Sequence, residues 1–118
     1  MIVAPVSKYP GVYEILDHAA DRPEGEFLYI RLSTAEEETT IRVACSDQSE
    51  TWNAFRIEAQ FDFNAVGVLK AYLEPLAESG IPIMAFSSFR TDHILVKAGD
   101  CDRAVSAWKR KDIAVIEC

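Results

Sequence analysis

The sequence predicts an α+β fold: a β-α-β-β-α-β unit from about residue 53 to 118, preceded by a first half made mostly of strands. Alternating or β-branched runs typical of strands recur along the whole chain. Both stretches with apolar residues at helical spacing lie in the second half, each between two strand-like runs. This order is ferredoxin-like and predicts an antiparallel sheet with both helices on one face.

The first half contains three predicted strands, over residues 12–16, 27–32 and 39–44. A loop over residues 18–26 follows the first of them, because Pro23 and Gly25 interrupt regular structure. We expect these strands either to extend the main sheet or to form a second small sheet.

The second half opens with a strand over residues 53–59, whose side chains alternate between apolar and polar in its later part. A helix over residues 65–78 follows, with Asp62 or Asn64 as its N-cap and Gly80 as its stop signal. Its predicted apolar face consists of Val66, Leu69, Leu73, Leu76 and Ala77.

A hairpin follows, with strands over residues 83–87 and 92–97. Gly99 and Asp100 then open a second helix. Its apolar stripe consists of Cys101, Ala104, Val105 and Trp108. The last strand, residues 112–117, is almost entirely apolar, and we therefore expect it to be buried in the sheet.

Composition and charge argue against several classes of function. The 118 residues are 49% hydrophobic, which is enough for a compact unit with its own core. A formal net charge of −7 disfavours nucleic-acid binding. No stretch approaches the roughly 20 apolar residues of a membrane span, and we expect no signal peptide. Three widely spaced cysteines without a C-x-x-C motif predict neither a disulfide framework nor a zinc site, so we expect a cytoplasmic protein.

Several motifs then occur in a fixed order: WNAFRI from Trp52, FDFNAVGVL from Phe61, LAESGIPI from Leu76 and SSFRTDHILVK from Ser87. Over residues 52 to about 108 this resembles the ACT-domain family, of the kind found in CASTOR arginine sensors, aspartokinases and small bacterial ACT proteins. The first half resembles the family's incomplete, mostly β ACT-like half. The chain departs from the pattern at Ser88, where Thr is usual, and at His93, where Tyr or Phe is usual.

The resemblance implies a ligand site between two ACT units, at the end of the first helix and at the hairpin after it. The residues that it points to are Glu78, Ser79, Gly80, Ile81, Ser88, Phe89 and Asp92, with Thr40 and Ile41 as a facing wall. Four of these residues have a structural alternative. Gly80 can be a helix C-cap, Asp92 can bond hairpin amides, Glu78 can be a solvated charge, and Phe89 can be a core or dimer contact.

The resemblance therefore implies a regulatory or sensor protein that binds a small molecule, most simply an amino acid, and acts as a homodimer or on a protein partner. No matched acid, base and nucleophile is evident, so we expect no enzyme activity, and we expect no cofactor or metal. The alternative is an interaction or dimerisation module without a ligand, in which Asp92→Ala leaves partner capture intact. We place the boundary between the two halves at residues 50 and 51 and expect both to pack as one compact unit.

Overall fold

The computed structural model describes residues 4–24, 27–45, 50–58 and 68–117. Within them the chain forms eight strands and two α-helices, with a short 3-10 turn before the second helix. The strands are β1 (Val6–Lys8), β2 (Tyr13–Leu16), β3 (Ile30–Ser33), β4 (Glu38–Val43), β5 (Trp52–Ile57), β6 (Ile83–Ser87), β7 (Asp92–Lys97) and β8 (Val115–Glu117). The helices are α1 (Val68–Glu78) and α2 (Cys101–Arg110).

All eight strands belong to one sheet. One path through it runs β3-β4-β2-β5-β1-β8, and β7 joins β5 to β6 on the other side of β5. From β5 onward the order is the predicted β-α-β-β-α-β, and the α+β, ferredoxin-like class is confirmed. The predicted hairpin is confirmed at both of its strands, β6 and β7.

A strand that the sequence did not predict, β1, lies between β5 and β8 in this sheet. It pairs antiparallel with β5, where Val6 faces Ile57, and parallel with β8, where Val6 faces Val115. The last strand is thereby displaced from β5 to the sheet edge. The expectation that residues 112–117 form a buried strand was wrong, because Ile116 on this edge is 47% exposed. The apolar run of residues 113–116 can equally end in a short edge strand.

Both helices cover one face of the sheet, as predicted. Leu76 of α1 and Trp108 of α2 pack there with Phe55 of β5 in one buried cluster. The Trp108 and Phe55 rings meet edge to face, with centroids 5.0 Å apart. The start of the predicted helix, including Asp62, Asn64 and Val66, lies outside the described residues. Ala77, which we expected on the apolar face, is exposed, and Tyr72 is buried instead.

The first half covers the other face of the sheet. Tyr13 and Ile41, from β2 and β4, pack with Ala54 and Leu95, from β5 and β7, in a second buried cluster. The central strands β5 and β7 are therefore buried on both faces. Of the two arrangements left open for the first-half strands, the structure shows the extension of the main sheet, curved so that its far end covers the helix-free face.

Side chains from the first-half strands fix the long loop after β2. Thr40 Oγ1 donates to the His18 carbonyl at 2.7 Å, and Arg42 donates to the Asp21 carbonyl at 3.0 Å. Arg42 also pairs with Glu14 at 3.1 Å, and this carboxylate accepts a further bond from the Cys45 amide. Glu14 is almost fully buried, and these bonds compensate its charge.

Candidate functional site

The turn after α1 has the geometry of a helix C-cap. Gly80 has φ +69°, its amide donates to the Ala77 carbonyl, and the Ile81 amide donates to the Leu76 carbonyl, both at 3.0 Å. This pair of bonds is a Schellman motif. Ile81 is buried in the helix-side core. The structural alternative for Gly80 is therefore confirmed, and Ile81 has a packing role.

Glu78 and Ser79 lie beside this turn but line two different open clefts. Glu78 forms an ion pair with Lys111 at 3.6 Å. The Ser79 carbonyl accepts a bond from Arg103 at 2.6 Å, and its hydroxyl accepts one from Arg110 at 3.3 Å. Arg103 also pairs with Asp100, so its positive charge already has a partner.

The hairpin residues form a second group, at the opposite end of β6 from the Gly80 turn. Ser88 Oγ donates to the Thr91 carbonyl at 2.9 Å, Ser87 Oγ donates to Asp92, and Phe89 is 79% exposed at the tip. The five residues of β6 separate the two groups by roughly 13 Å or more. Within one chain the predicted ligand residues therefore do not converge on a single site.

The two residues predicted to form the facing wall, Thr40 and Ile41, are fully buried. Thr40 bonds the loop after β2, and Ile41 packs in the second cluster. Neither side chain presents a surface to a ligand in this structure.

A different pocket lies on the helix-free side, where β1 runs beside β5. We call it the Tyr9 pocket. It has a volume of about 330 Å³ and is lined by Ser7, Lys8, Tyr9, Pro10, Phe27 and Arg56. Phe27 is 69% exposed at its rim, although it is a large apolar residue. A concave surface with an apolar wall and a few convergent polar groups is the usual form of a small-molecule site.

Arg56, at the polar side of this pocket, belongs to an ion pair whose other member, Glu58, lies beside the lining residues. Arg56 Nε donates to Glu58 Oε1 at 2.9 Å, and the Arg56 guanidinium lies 5.7 Å from the centre of the Tyr9 ring. Burial opposes ionisation of Glu58, but hydrogen bonds from Ser7 and Arg56 outweigh it, so the pKa of this carboxyl is lowered. Both groups are therefore charged at neutral pH.

The Tyr9 ring connects the pocket to His93 of β7. Its hydroxyl lies 3.5 Å from His93 Nδ1, and His93 Nε2 lies 3.1 Å from Ser88 Oγ. The imidazole is stacked between the rings of Tyr9 and Phe86, with centroid distances of 6.0 and 5.0 Å. Burial, and then the charge of Arg56, lower the pKa of His93, while Asp92 opposes this shift. Ser88 and His93 are in contact, but the Ser88 hydroxyl also bonds the Thr91 carbonyl.

Comparison with known proteins identifies the family. The sequence model of the ACT domain matches residues 48–109, which is more than half of the chain. The chain belongs to the ACT-domain family. No curated protein matches its sequence.

Solved structures share the fold of this ACT-domain protein at low sequence identity. A crystal structure of a protein from Agobacterium tumefaciens has a TM-score of 0.81 at 20% identity and covers 100% of this chain and 96% of its own. A Vibrio cholerae protein of unknown function, described as a possible transport protein, has a TM-score of 0.68 at 20% identity, with 86% of this chain and 84% of that protein covered. A structure of the aspartokinase alpha and beta subunits has a TM-score of 0.61 at 13% identity, covering 95% and 100%.

These likenesses extend over nearly the whole chain, so the first half belongs to the same fold as the matched ACT region. They show the fold and do not identify a ligand. Within the described residues no group of His, Cys, Asp and Glu is arranged to hold a metal, and no helix is long and apolar enough to cross a membrane.

Sequence reasoning did not identify the Tyr9 pocket. Tyr9 and Pro10 precede the first predicted strand, and Arg56 was assigned only as a polar position of a strand. The one available signal was the YP dipeptide after a short alternating run, which is compatible with a strand end. The pocket depends on β1 pairing with β5, and a distant strand pairing has no local sequence signature.

Proposed function

We propose that this ACT-domain protein is a regulatory protein that binds an α-amino acid, without catalytic activity. Family membership supports a regulatory, ligand-binding role. The observation that carries the choice of an amino acid is the adjacent pair of opposite charges, Arg56 and Glu58, beside the Tyr9 pocket.

An α-amino acid at neutral pH carries a carboxylate and an ammonium on one carbon atom. The Arg56 guanidinium offers planar donors that suit the carboxylate, and the ionised Glu58 accepts from the ammonium. Both side chains remain partly exposed, at 45% and 28%, so a ligand can reach them without unfolding. Arg56 and Glu58 already pair with each other. Binding therefore replaces this one ion pair with two, one between Arg56 and the ligand carboxylate and one between Glu58 and the ligand ammonium.

The test is a screen of the twenty amino acids at millimolar concentration by thermal shift, followed by titration calorimetry. Ligand at 100 times its Kd should stabilise the folded state by about 2.7 kcal/mol. The amide and the N-acetyl derivative of the best ligand lack one of the two charges each, and we expect both to bind at least tenfold more weakly.

Two arginine variants make the test specific. Arg56→Gln should weaken binding by about 10- to 100-fold, since charge-assisted hydrogen bonds contribute about 1.5–3 kcal/mol. Arg31→Gln removes an arginine of similar exposure from an ion pair with Glu38 on β3 and β4, and should leave binding unchanged. A melting temperature that no amino acid changes would refute the proposal for the isolated protein.

We further propose that the bound ligand acts by favouring one assembled state, a homodimer or a complex with a protein partner. Two sheet edges support this, because the outer sides of β6 and β8 have no strand partner among the described residues. Light scattering with and without the ligand from the screen would show the change in mass. An unchanged monomer in both conditions would exclude the homodimer.

A further inference from the structure

The Tyr9 pocket has a charged end at Arg56 and an opposite part that would receive the side chain of a bound amino acid. This second part is more apolar than the charged end. Tyr9, Pro10 and Phe27 contribute ring surfaces, and the described lining contains no carboxylate. Glu58, the nearby carboxylate, is held by Ser7 and Arg56. A ligand side chain beyond the charged pair therefore meets an apolar wall.

The charges that line the pocket disfavour a cationic side chain on the ligand. Arg56 repels a cationic side chain, and no free acidic partner lines the described part of the wall. Lys8 also lines the pocket, and its positive charge likewise repels a cationic side chain.

Phe27 is the most exposed aromatic residue of the pocket lining. It leaves 69% of its surface exposed at the pocket rim. An aromatic ring placed between Phe27 and Tyr9 would cover that surface and form offset or edge contacts, which are the preferred aromatic geometries. The volume of about 330 Å³ accommodates one aromatic amino acid.

We propose that the Tyr9 pocket selects α-amino acids with an apolar side chain, aromatic ones above all, and rejects cationic ones. This inference rests on the proposed function, since it assigns the ligand class of the same site. The ligand of this protein would then differ from that of the arginine sensors, which are among the family members that its sequence resembles.

The experiment titrates the full chain with L-phenylalanine, L-tyrosine, L-alanine, L-arginine and L-glutamate by calorimetry. We expect phenylalanine or tyrosine to bind at least tenfold more tightly than alanine, because a buried ring adds apolar contact area. Arginine should bind more weakly than alanine, because Arg56 and Lys8 both repel its guanidinium.

Substitutions in the protein then locate the part of the pocket that binds the side chain of the ligand. Phe27→Ala should weaken phenylalanine binding by about tenfold and leave alanine binding unchanged, while Arg56→Gln should weaken both. Leu32→Ala, which truncates another exposed apolar side chain, on β3, is the control and should bind as the unaltered chain does. Melting curves confirm that each variant is folded.

The outcomes separate the two proposals. If none of the amino acids in the screen binds, the proposed function fails and the selectivity fails with it. If amino acids bind but arginine or glutamate binds best, or if Phe27→Ala weakens alanine and phenylalanine equally, only the selectivity fails. If Phe89→Ala and not Phe27→Ala weakens binding, the site lies at the hairpin and the Tyr9 pocket is refuted.

Discussion

At the scale of single residues, the polar groups inside this protein are each compensated by named partners. Glu14 is almost fully buried, but it accepts from the Arg42 guanidinium and from a backbone amide. The Trp108 indole donates to the Tyr72 carbonyl at 2.8 Å, and the Tyr72 hydroxyl donates to the Ala4 carbonyl at 2.8 Å. Buried side-chain nitrogen and oxygen atoms without a hydrogen-bond partner are not found in the described residues.

His93 gives this interior a pH dependence. Burial, and then Arg56, lower its pKa in the folded state, while an unfolded chain has the ordinary value near 6.5. Below about pH 6.5 the unfolded chain takes up a proton that the folded protein does not. The free energy of unfolding should therefore be fully maintained above pH 6.5 and fall as the pH falls towards the folded-state pKa.

We expect His93→Phe to flatten this slope, since the ring stack with Tyr9 and Phe86 is kept while the titrating group is lost. Urea denaturation between pH 5 and 7.5 measures it, at up to about 1.4 kcal/mol per unit of pKa difference. His18→Gln, which removes the exposed histidine, should keep the slope of the unaltered chain. Equal slopes in both variants would mean that other groups carry the pH dependence.

At the scale of the elements, the turn after α1 requires a left-handed backbone conformation, which glycine adopts more readily than other residues. Gly80 adopts φ +69°, and a Cβ placed there would meet no atom within 4 Å. A substitution at this position therefore changes only the backbone energy, and causes no clash.

Gly80→Ala should lower the free energy of unfolding by about 1 kcal/mol, because L-residues with a side chain disfavour the left-handed region. Gly99→Ala is the matched control. It also has open space around its Cβ position, but its φ is not in that region. We expect that variant to be neutral or slightly more stable. Urea denaturation of both variants measures the difference. A neutral Gly80→Ala would show that the turn adjusts to another conformation at no cost.

At the scale of the whole molecule, the two halves of the sequence are not separable layers. Strand β1 belongs to the first half in sequence, but it pairs with β5 and β8 of the second. Val6 on this strand is fully buried in the helix-side core. The boundary predicted at residues 50 and 51 therefore divides the sequence but not the sheet.

We expect residues 51–118 expressed alone to be unfolded or to aggregate, since β5 and β8 would lose the strand between them and the helix-free face would be uncovered. Addition of a peptide of residues 1–50 should restore a dispersed NMR spectrum and a cooperative thermal transition. A cooperative transition of the 51–118 fragment without the peptide would contradict this.

The sequence could predict the parts of the fold that depend on local pattern. The helices and the hairpin β6–β7 follow from periodicity and from the Gly80 and Pro82 signals, and they agree with the structure. Strand β1 has only three residues, and its partners lie about 50 and 110 positions away. No local pattern encodes such a pairing, so both the buried position of β1 and the Tyr9 pocket beside it were missed.

For the candidate site, the resemblance identified the family and a set of residues, but the structure distributes that set between two ends of β6 and the interior. Turn residues such as Gly80 and Asp92 carry signals for local geometry that are indistinguishable in sequence from signals for binding. The strand pattern placed Arg56 and Glu58 on one face, but the pocket beside them depends on β1 and Phe27, whose positions it did not predict.

The position of β1 has a consequence for how the protein folds during synthesis. This strand is translated about 110 residues before β8, which covers its other edge. At a synthesis rate of about 5–20 residues per second, roughly 5 to 20 s pass between the synthesis of the two strands. During that interval the backbone amides and carbonyls of β1 have no native partner on that side. Folding of this part of the sheet must therefore wait until β8 has been made, and a nascent chain would expose an open strand edge to other proteins.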